Sequence, residues 1–174
     1  MTWNIIKERP KQKTSELLEE CKSLFPVWTW QDFKEFDKDF PSPKKATTRT
    51  FEPNIEADEK HKSKSYDDLK KEGIEGITLR EYLIMFRQYF RETGQRLDKD
   101  NWTLCSGSLY RDGSVPRGRS YDDRLSVGWC SRDDAHSSNL RAREVVSKPS
   151  SLNLVDLNKI KIEIGGKKYK LTHI

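Results

Sequence analysis

The sequence of 174 residues predicts an α+β fold in which short strands pack on one long amphipathic helix. Apolar residues recur at helical spacing from Leu79 to Phe90, which indicates a helix with one buried face. The segment 125–130 alternates between two kinds of side chain, the pattern of a half-buried strand. Two further alternating runs flank Gly165-Gly166 and predict a C-terminal β-hairpin.

Length and composition fit a single domain over residues 1–174. Hydrophobic residues make up 33% of the chain and charged residues 35%, so long polar segments must lie outside a small, aromatic-rich core. The net charge of +5 is spread along the chain, and no concentrated basic face is evident. Neither a membrane-spanning apolar run nor a signal peptide is apparent. We therefore expect a cytoplasmic protein, with surface display as the open alternative.

The N-terminal part, residues 1–76, is predicted to be mainly helical. A first helix begins at Thr14 or Ser15 and ends before Pro26. The aromatic segment that follows, VWTWQDFKEFDKDF, is predicted to form a short second helix closed by Pro41. We expect its tryptophans and phenylalanines to fill the core, and the alternative is a stacking platform for bases or sugars.

A polar segment separates this part from the long helix. Residues 41–64 are rich in proline and charge and lack periodicity, which predicts a surface loop. A short helix is predicted at 65–71. The long helix then follows, because Thr78 and Glu81 are spaced as a capping box and Gly94 can supply the left-handed residue that ends a helix.

Residues 147–174 form the predicted C-terminal hairpin. Isoleucines alternate from Ile160 to Ile164, and a second alternating run from Tyr169 to His173 follows the glycine turn. The lysines of this hairpin are expected on its solvent face or edge, where they discourage association with other sheets. A basic binding surface is the alternative interpretation.

Motifs of the common enzyme classes are absent, including GxGxxG, P-loop, HExxH, GxSxG and zinc-ligand spacings. The three histidines lie far apart, so we expect neither a catalytic histidine cluster nor a cofactor. Three cysteines form no disulfide framework, although Cys105 and Cys130 are candidates for one pair. Two acidic pairs, Asp122-Asp123 and Asp133-Asp134, are candidates for a divalent-metal site, and ordinary turns that favour aspartate are the alternative.

The segment from Asn101 to Val146 differs from the rest of the chain in composition. It contains no lysine, and its basic residues are all arginine. Isoleucine, phenylalanine and methionine are also missing, while serine, aspartate, glycine, tyrosine, cysteine and histidine fill the positions between a few large apolar residues. The apolar residues that we predict to be buried are Trp102, Leu125, Val127, Trp129 and Leu140.

The alternation at 125–130 predicts which side chains of this segment face solvent. Leu125, Val127 and Trp129 would point to the core. Ser126, Gly128 and Cys130 would point to the opposite face, which we expect to be exposed to solvent. Tyrosine, serine, glycine, aspartate and arginine dominate antibody paratopes because tyrosine gives contact area at low entropic cost and arginine anchors polar partners. The candidate ligand-binding residues are Tyr110, Arg117, Arg119, Tyr121, Asp122, Ser126, Gly128, Cys130, Ser131, Asp133 and His136.

The order of these motifs resembles that of a known family. The helix at 78–93 leads into NWTLCSGS, then GSVP, the alternating strand and the ending SSNLRAREVV. This order resembles the C-type-lectin-like fold of the formylglycine-generating-enzyme type, and most of all the variable proteins of diversity-generating retroelements. The matching residues are Asn139, Leu140, Ala142 and Arg143, with Trp102 and Trp129 as core markers.

The resemblance covers about residues 77–146 and implies a C-type-lectin-like core that displays a hypervariable binding surface. In that family, mutagenesis at template adenines diversifies selected codons near the C-terminus, and its products include the residue types found here. Catalysis of the formylglycine-generating kind would require a suitable cysteine pair, and nothing in this sequence singles one out.

We therefore expect a non-enzymatic protein that binds a ligand, most readily a protein. Tyr121 would act as an apolar anchor, and Arg117 and Arg119 would form charge-assisted hydrogen bonds. One alternative is a nucleic-acid-binding protein of a phage or mobile element that uses these arginines and the lysines of 159–170. The other is a metal-dependent hydrolase that uses the two aspartate pairs. An ordinary meander with polar turns is the structural alternative.

Overall fold

The computed structural model of the protein describes residues 2–135 and 137–146, and the backbone of two strands at 161–164 and 167–170. The described residues form α-helices, one short 3₁₀ helix at Glu59–His61 and β-strands. In chain order the elements are β1 (Ile5–Glu8), α1 (Thr14–Lys22), β2 (Val27–Thr29), α2 (Phe33–Asp39), β3 (Thr47–Thr50), α3 (Tyr66–Lys71), α4 (Leu79–Thr93), β4 (Trp102–Leu104), β5 (Val115–Tyr121), β6 (Arg124–Cys130), β7 (Leu140–Ala142), β8 (Lys161–Ile164) and β9 (Lys167–Lys170).

A five-stranded mixed sheet is the centre of the fold. Its strand order is β2-β6-β5-β4-β7, with the outer pairs parallel and the inner pairs antiparallel. Strands β1 and β3 form a separate antiparallel pair. The expected α+β class, with a mixed sheet and one long helix, is confirmed.

Helix α4 begins and ends as the sequence predicts. The Thr78 side chain accepts a hydrogen bond from the Glu81 amide, and the Glu81 carboxylate accepts one from the Thr78 amide. These two bonds satisfy amides that have no partner within the helix. Gly94 ends the helix in the left-handed conformation, with φ of 70°.

One face of the sheet packs on α4. Leu125 and Val127 of β6 are fully buried in the large core that also contains the apolar residues of α1 and α4. Gly118 of β5 lies on this face, and a β-carbon at that position would be 2.2 Å from Cε1 of Tyr82. The missing side chain therefore allows the sheet to approach the helix closely.

We expect Gly118→Ala to lower the free energy of unfolding by about 1–3 kcal/mol, because the added methyl group overpacks the contact with Tyr82. Urea denaturation measures the change. Gly128→Ala in the neighbouring strand is the matched control, because a β-carbon there meets nothing within 4 Å. Equal stability of the two variants would contradict the close approach.

The opposite face of the sheet is only partly covered. Helix α3 lies over its β4–β7 side, where Leu69 is buried in a second, smaller core. The sheet residues of this core are Leu104, Val115, Cys130, Leu140 and Ala142. The remainder of this face carries the exposed side chains described below.

The N-terminal part contains strands as well as helices. The predicted single helix over the aromatic segment is wrong at its start, because Val27–Thr29 forms strand β2 and only Phe33–Asp39 is helical. β2 pairs in parallel with β6, and the amide of Leu125 donates to the carbonyl of Pro26. The partner strand lies nearly one hundred residues away, so the pairing itself cannot be read from this segment alone.

The polar segment 41–64 is ordered by contacts with distant parts of the chain. It contains β3 and the 3₁₀ helix, and Phe51 and His61 are buried. Its backbone amides find distant acceptors: Phe51 donates to Asn4, and Asp58 donates to Ala142. The segment is thus held by tertiary hydrogen bonds, which its polar composition did not indicate.

The predicted C-terminal hairpin is confirmed in its two strands. β8 and β9 are antiparallel, with Ile162 opposite Tyr169. The turn at 165–166 and the predicted orientation of the lysines lie outside the described residues. None of the helices in the described part of the chain combines the length and apolar character that crossing a bilayer requires.

Candidate functional site

The structure divides the predicted ligand-binding residues into three groups. Those at least partly exposed are Arg117, Arg119, Tyr121, Asp122, Gly128, Ser131 and Asp133. Those buried, contrary to expectation, are Tyr110, Ser126 and Cys130. His136 lies outside the described residues.

Tyr110 belongs to an aromatic cluster of the core. Its ring contacts those of Phe40 and Phe36 edge-on, with centroids 4.9 and 6.2 Å away. Its hydroxyl accepts a hydrogen bond from Nε1 of Trp30 at 3.0 Å, and burial raises the pKa of the phenol. The buried hydroxyl is thus satisfied within the protein, which explains why a tyrosine in a polar segment turns inward.

Ser126 and Cys130 point away from α4 as predicted, but that face is not solvent there. Cys130 is buried in the second core beneath α3. Ser126 lies in register between Trp28 and Arg119 of the adjacent strands. Large neighbours on both sides cover its small side chain, which is 4% exposed. Alternation along a strand predicts on which face of the sheet a side chain lies. It does not predict whether another element covers that side chain.

The three cysteines are free and buried, so the considered pairing of Cys105 with Cys130 is not formed. Burial raises the pKa of Cys21 to about 12 and that of Cys130 to about 11. Burial also raises the pKa of Cys105 well above its usual value. The thiolate, which is the reactive form, is therefore scarce at neutral pH.

We expect all three cysteines of the native protein to resist alkylation by iodoacetamide at pH near 8. The thiolate population grows only as the pH approaches the raised pKa values, and access requires opening of the fold. Mass spectrometry of the intact protein counts the adducts, and the same reaction in guanidinium chloride should label every cysteine. Rapid labelling of Cys130 in native protein would contradict its position in the second core.

The two aspartate pairs lie at opposite ends of one strand. Asp122 and Asp123 form the β5–β6 turn with φ of 45° and 61°, the conformation of a two-residue type I′ turn. Asp133 and Asp134 follow the far end of β6, a strand of seven residues and roughly 23 Å. The pairs therefore do not form one site. In the described part of the chain, no three His, Cys, Asp or Glu side chains are grouped as a metal site requires.

Four tryptophans line a groove of about 560 Å³ beside the sheet. We call Trp28, Trp30, Trp102 and Trp129 the tryptophan groove. Three of them are unusually exposed for their size, with Trp129 at 50%. The predicted burial of Trp129 is wrong, because it lines the groove and belongs to neither core. The other residues that line it are Arg117, Gly128, Cys130, Ser131 and Asp134.

A row of arginines extends from this groove along the sheet. Arg117, Arg119 and Arg124, here called the arginine row, share one face because alternate residues of β5 point the same way and Arg124 lies opposite Tyr121. The Arg117 guanidinium lies 4.6 Å from the ring centroid of Trp102. Arg119 lies 5.2 Å and Arg124 5.9 Å from that of Tyr121. Cation–π contacts thus hold the guanidinium planes in place.

Several residues of this surface were not predicted from the sequence. Trp28 and Trp30 were expected to fill the core, and Arg124 was not among the candidates. A usable signal was present, because tryptophans two residues apart in VWTW match the period of a strand and not that of a helix. Arg124 could have been found as the cross-strand partner of Tyr121 in a hairpin with a two-residue turn.

The Arg143 side chain of the NLRAR ending is structural. It is 1% exposed and donates from Nη2 to Oδ1 of Asp98 at 2.7 Å. Its other hydrogen bonds go to the carbonyls of Asn54 and Ile55 and to the hydroxyl of Thr103. Complete burial raises the pKa of Asp98, and the adjacent Arg143 charge opposes that shift. This ion pair joins the 54–58 segment to the sheet beneath the exposed surface.

These interactions place an aromatic and arginine-rich surface on the part of the sheet that none of the described helices covers. The side chains rest on hydrogen-bonded strands and on one another, so little ordering is needed before they contact another molecule. No protein family, curated protein or solved structure matches this chain.

Proposed function

We propose that this chain is a non-enzymatic ligand-binding protein whose tryptophan groove and arginine row recognise the ligand. The observation that carries the proposal is the exposure of Trp28, Trp129 and Tyr121 beside three stacked arginines. Aromatic rings of this size are usually covered in a folded protein, because each can bury roughly 150–250 Å². Tryptophan, tyrosine and arginine are also the residues that contribute most to binding energy at interfaces.

The ligand in this proposal is a protein. A concave groove suits an inserted side chain, and the flanking arginines suit polar groups around it. The surface lies on paired strands, so binding requires little loss of conformational freedom in this chain. The expected roles of Tyr121, Arg117 and Arg119 are retained, while Tyr110, Ser126 and Cys130 act beneath the surface as supports.

We further propose that the core belongs to the C-type-lectin-like fold and that the chain is a variable protein of a diversity-generating retroelement. The segment Asn101–Val146 supports this, because it contains both buried structural residues and exposed residues of the proposed binding surface. Arg143 is buried in the interior, whereas Arg117, Arg119 and Tyr121 belong to neither core. A near-copy of the DNA for about residues 105–143, differing mainly at adenines and next to a reverse transcriptase gene, is the expected genomic arrangement.

Selection from a random-peptide display library tests the binding function. The full chain is immobilised, and the same selection is run on a variant with Trp28→Ala, Tyr121→Ala and Trp129→Ala. All three side chains are about half exposed, so the variant should remain folded. We expect peptides to be enriched on the native protein and not on the variant.

Circular dichroism and the unfolding midpoint establish that the variant is folded before the comparison. The tryptophan groove, the arginine row and Tyr121 are together called the recognition surface. A variant with Ile55→Ala is the control, because Ile55 is 51% exposed and lies outside this surface. Equal enrichment on the triple variant, or none on the native chain, would refute the proposed function.

A further inference from the structure

The charges of the recognition surface identify the chemistry of its ligand. Seven arginines lie between Asn101 and Val146, and four of them form ion pairs with carboxylates of other segments. These pairs are Arg111–Asp39, Arg132–Asp67, Arg141–Glu59 and Arg143–Asp98. The other three are the arginine row.

No carboxylate of the described residues lies within 4.0 Å of a nitrogen of the arginine row. Among the described residues, Arg119 donates to two backbone carbonyls, those of Lys99 and Ser120. The Nε–H groups of Arg117 and Arg124 are buried and donate to no acceptor among the described residues. In the described part of the chain, these three adjacent guanidinium groups therefore have no carboxylate counterion.

The positive patch is short and acidic at both ends. Asp122 lies in the turn beside Arg124, and Asp133 follows the other end of β6. The neighbouring Asp123 is already paired with Arg96. A nucleic-acid strand carries a charge on every nucleotide and would meet these carboxylates as it left the patch. A ligand with a few negative charges over one strand length avoids this repulsion. Charge complementarity thus favours an acidic peptide.

The spacing of the arginines fits an extended peptide. Arg117 and Arg119 are alternate residues of one strand and are separated by about 6.6 Å along it. Alternate side chains of an extended ligand have the same repeat, so its carboxylates can meet successive guanidinium groups. The tryptophan groove begins at Arg117 and can receive a neighbouring apolar side chain of the ligand.

We propose that the recognition surface binds an extended, acidic peptide segment of a partner protein. Carboxylates of alternate residues lie on Arg117, Arg119 and Arg124, and an apolar side chain occupies the tryptophan groove. This inference rests on the proposed function and adds to it the charge, conformation and anchoring residue of the ligand.

The composition of enriched peptides tests the inference. A random-peptide display library is selected on the full chain, and the fraction of aspartate and glutamate in the enriched pool is compared with that before selection. We expect a clear acidic excess on the native protein, and its loss on a variant with Arg117→Gln and Arg119→Gln. Arg132→Gln is the matched control, because Arg132 is already paired with Asp67 and should leave the excess unchanged.

Affinity measurements on a peptide from the enriched pool complete the test. Replacing its acidic residues by the corresponding amides should weaken binding roughly tenfold, because charge-assisted hydrogen bonds are replaced by neutral ones. Oligothymidylate is the competing anionic probe and should bind more weakly than the acidic peptide.

Each outcome decides between the proposals. Enriched peptides without an acidic excess, or amide variants of equal affinity, would overturn this inference and leave the proposed binding function standing. Tighter binding of oligothymidylate than of any enriched peptide would overturn it in favour of a nucleic-acid ligand. No enrichment on the native chain would refute the proposed function and the inference together.

Discussion

Asp98→Asn is expected to lower the free energy of unfolding by about 3–5 kcal/mol, because it leaves the buried Arg143 charge without a counterion. Both side chains are almost completely inaccessible, so water cannot replace the lost charge. Asp98 also accepts hydrogen bonds from the Ala57 amide and the Thr103 hydroxyl. Asparagine keeps the size of the side chain and tolerates the left-handed backbone at this position, with φ of 52°. The loss therefore reports charge and hydrogen bonding and not backbone strain.

Chemical denaturation compares Asp98→Asn with Asp123→Asn, which is the same substitution at a buried and at an exposed position. Asp123 pairs with Arg96 but its side chain is 94% exposed, and an exposed pair contributes at most about 1 kcal/mol. Addition of Arg143→Met to Asp98→Asn should recover part of the lost stability, because the orphaned charge is removed. Similar midpoints for the two aspartate variants would show that the buried pair does not stabilise the fold.

Trp28→Ala and Trp129→Ala are each expected to weaken peptide binding by about 30-fold or more, which corresponds to the roughly 2 kcal/mol typical of a central interface residue. Each ring forms a wall of the tryptophan groove and is about half exposed. Its removal takes away ligand contact area while the cores stay intact. Isothermal titration with a library-selected peptide measures the loss, and thermal unfolding measures the stability of the same samples.

Ile55→Ala again serves as the matched control for loss of an exposed apolar side chain. It should bind the peptide as the native protein does. Unchanged affinity of both tryptophan variants would place the ligand elsewhere. A cooperative loss of structure in either variant would instead assign that tryptophan to the core.

The sequence predicted those helices and strands whose stabilising residues lie within one short segment of the chain. Helix α4 is the clearest example, since its capping residues and apolar face lie within one segment. The C-terminal strands follow for the same reason. Strand β2 and the segment 41–64 were missed because their hydrogen-bond partners lie far away in sequence.

The sequence correctly located the candidate site in the chain, but it did not predict which of the site's residues are buried. Alternation correctly separated the two faces of β6, yet α3 covers one end of the second face and buries Cys130. Trp129 was misplaced for the complementary reason, because an apolar residue need not have a partner to cover it. Exposure depends on which distant element packs on a strand, and strand periodicity carries no information about that.

The five tryptophans provide the most direct test of the central claim, that the tryptophan groove and the arginine row form the binding surface. Four of them line the groove, while Trp3 is buried in the core against Tyr89 with ring centroids 4.9 Å apart. Their indole N–H signals are resolved by nitrogen-15 NMR of the full chain during titration with a library-selected peptide. We predict that the signals of Trp28, Trp30, Trp102 and Trp129 shift while that of Trp3 stays in place. Binding that leaves the four groove signals unchanged would contradict the account.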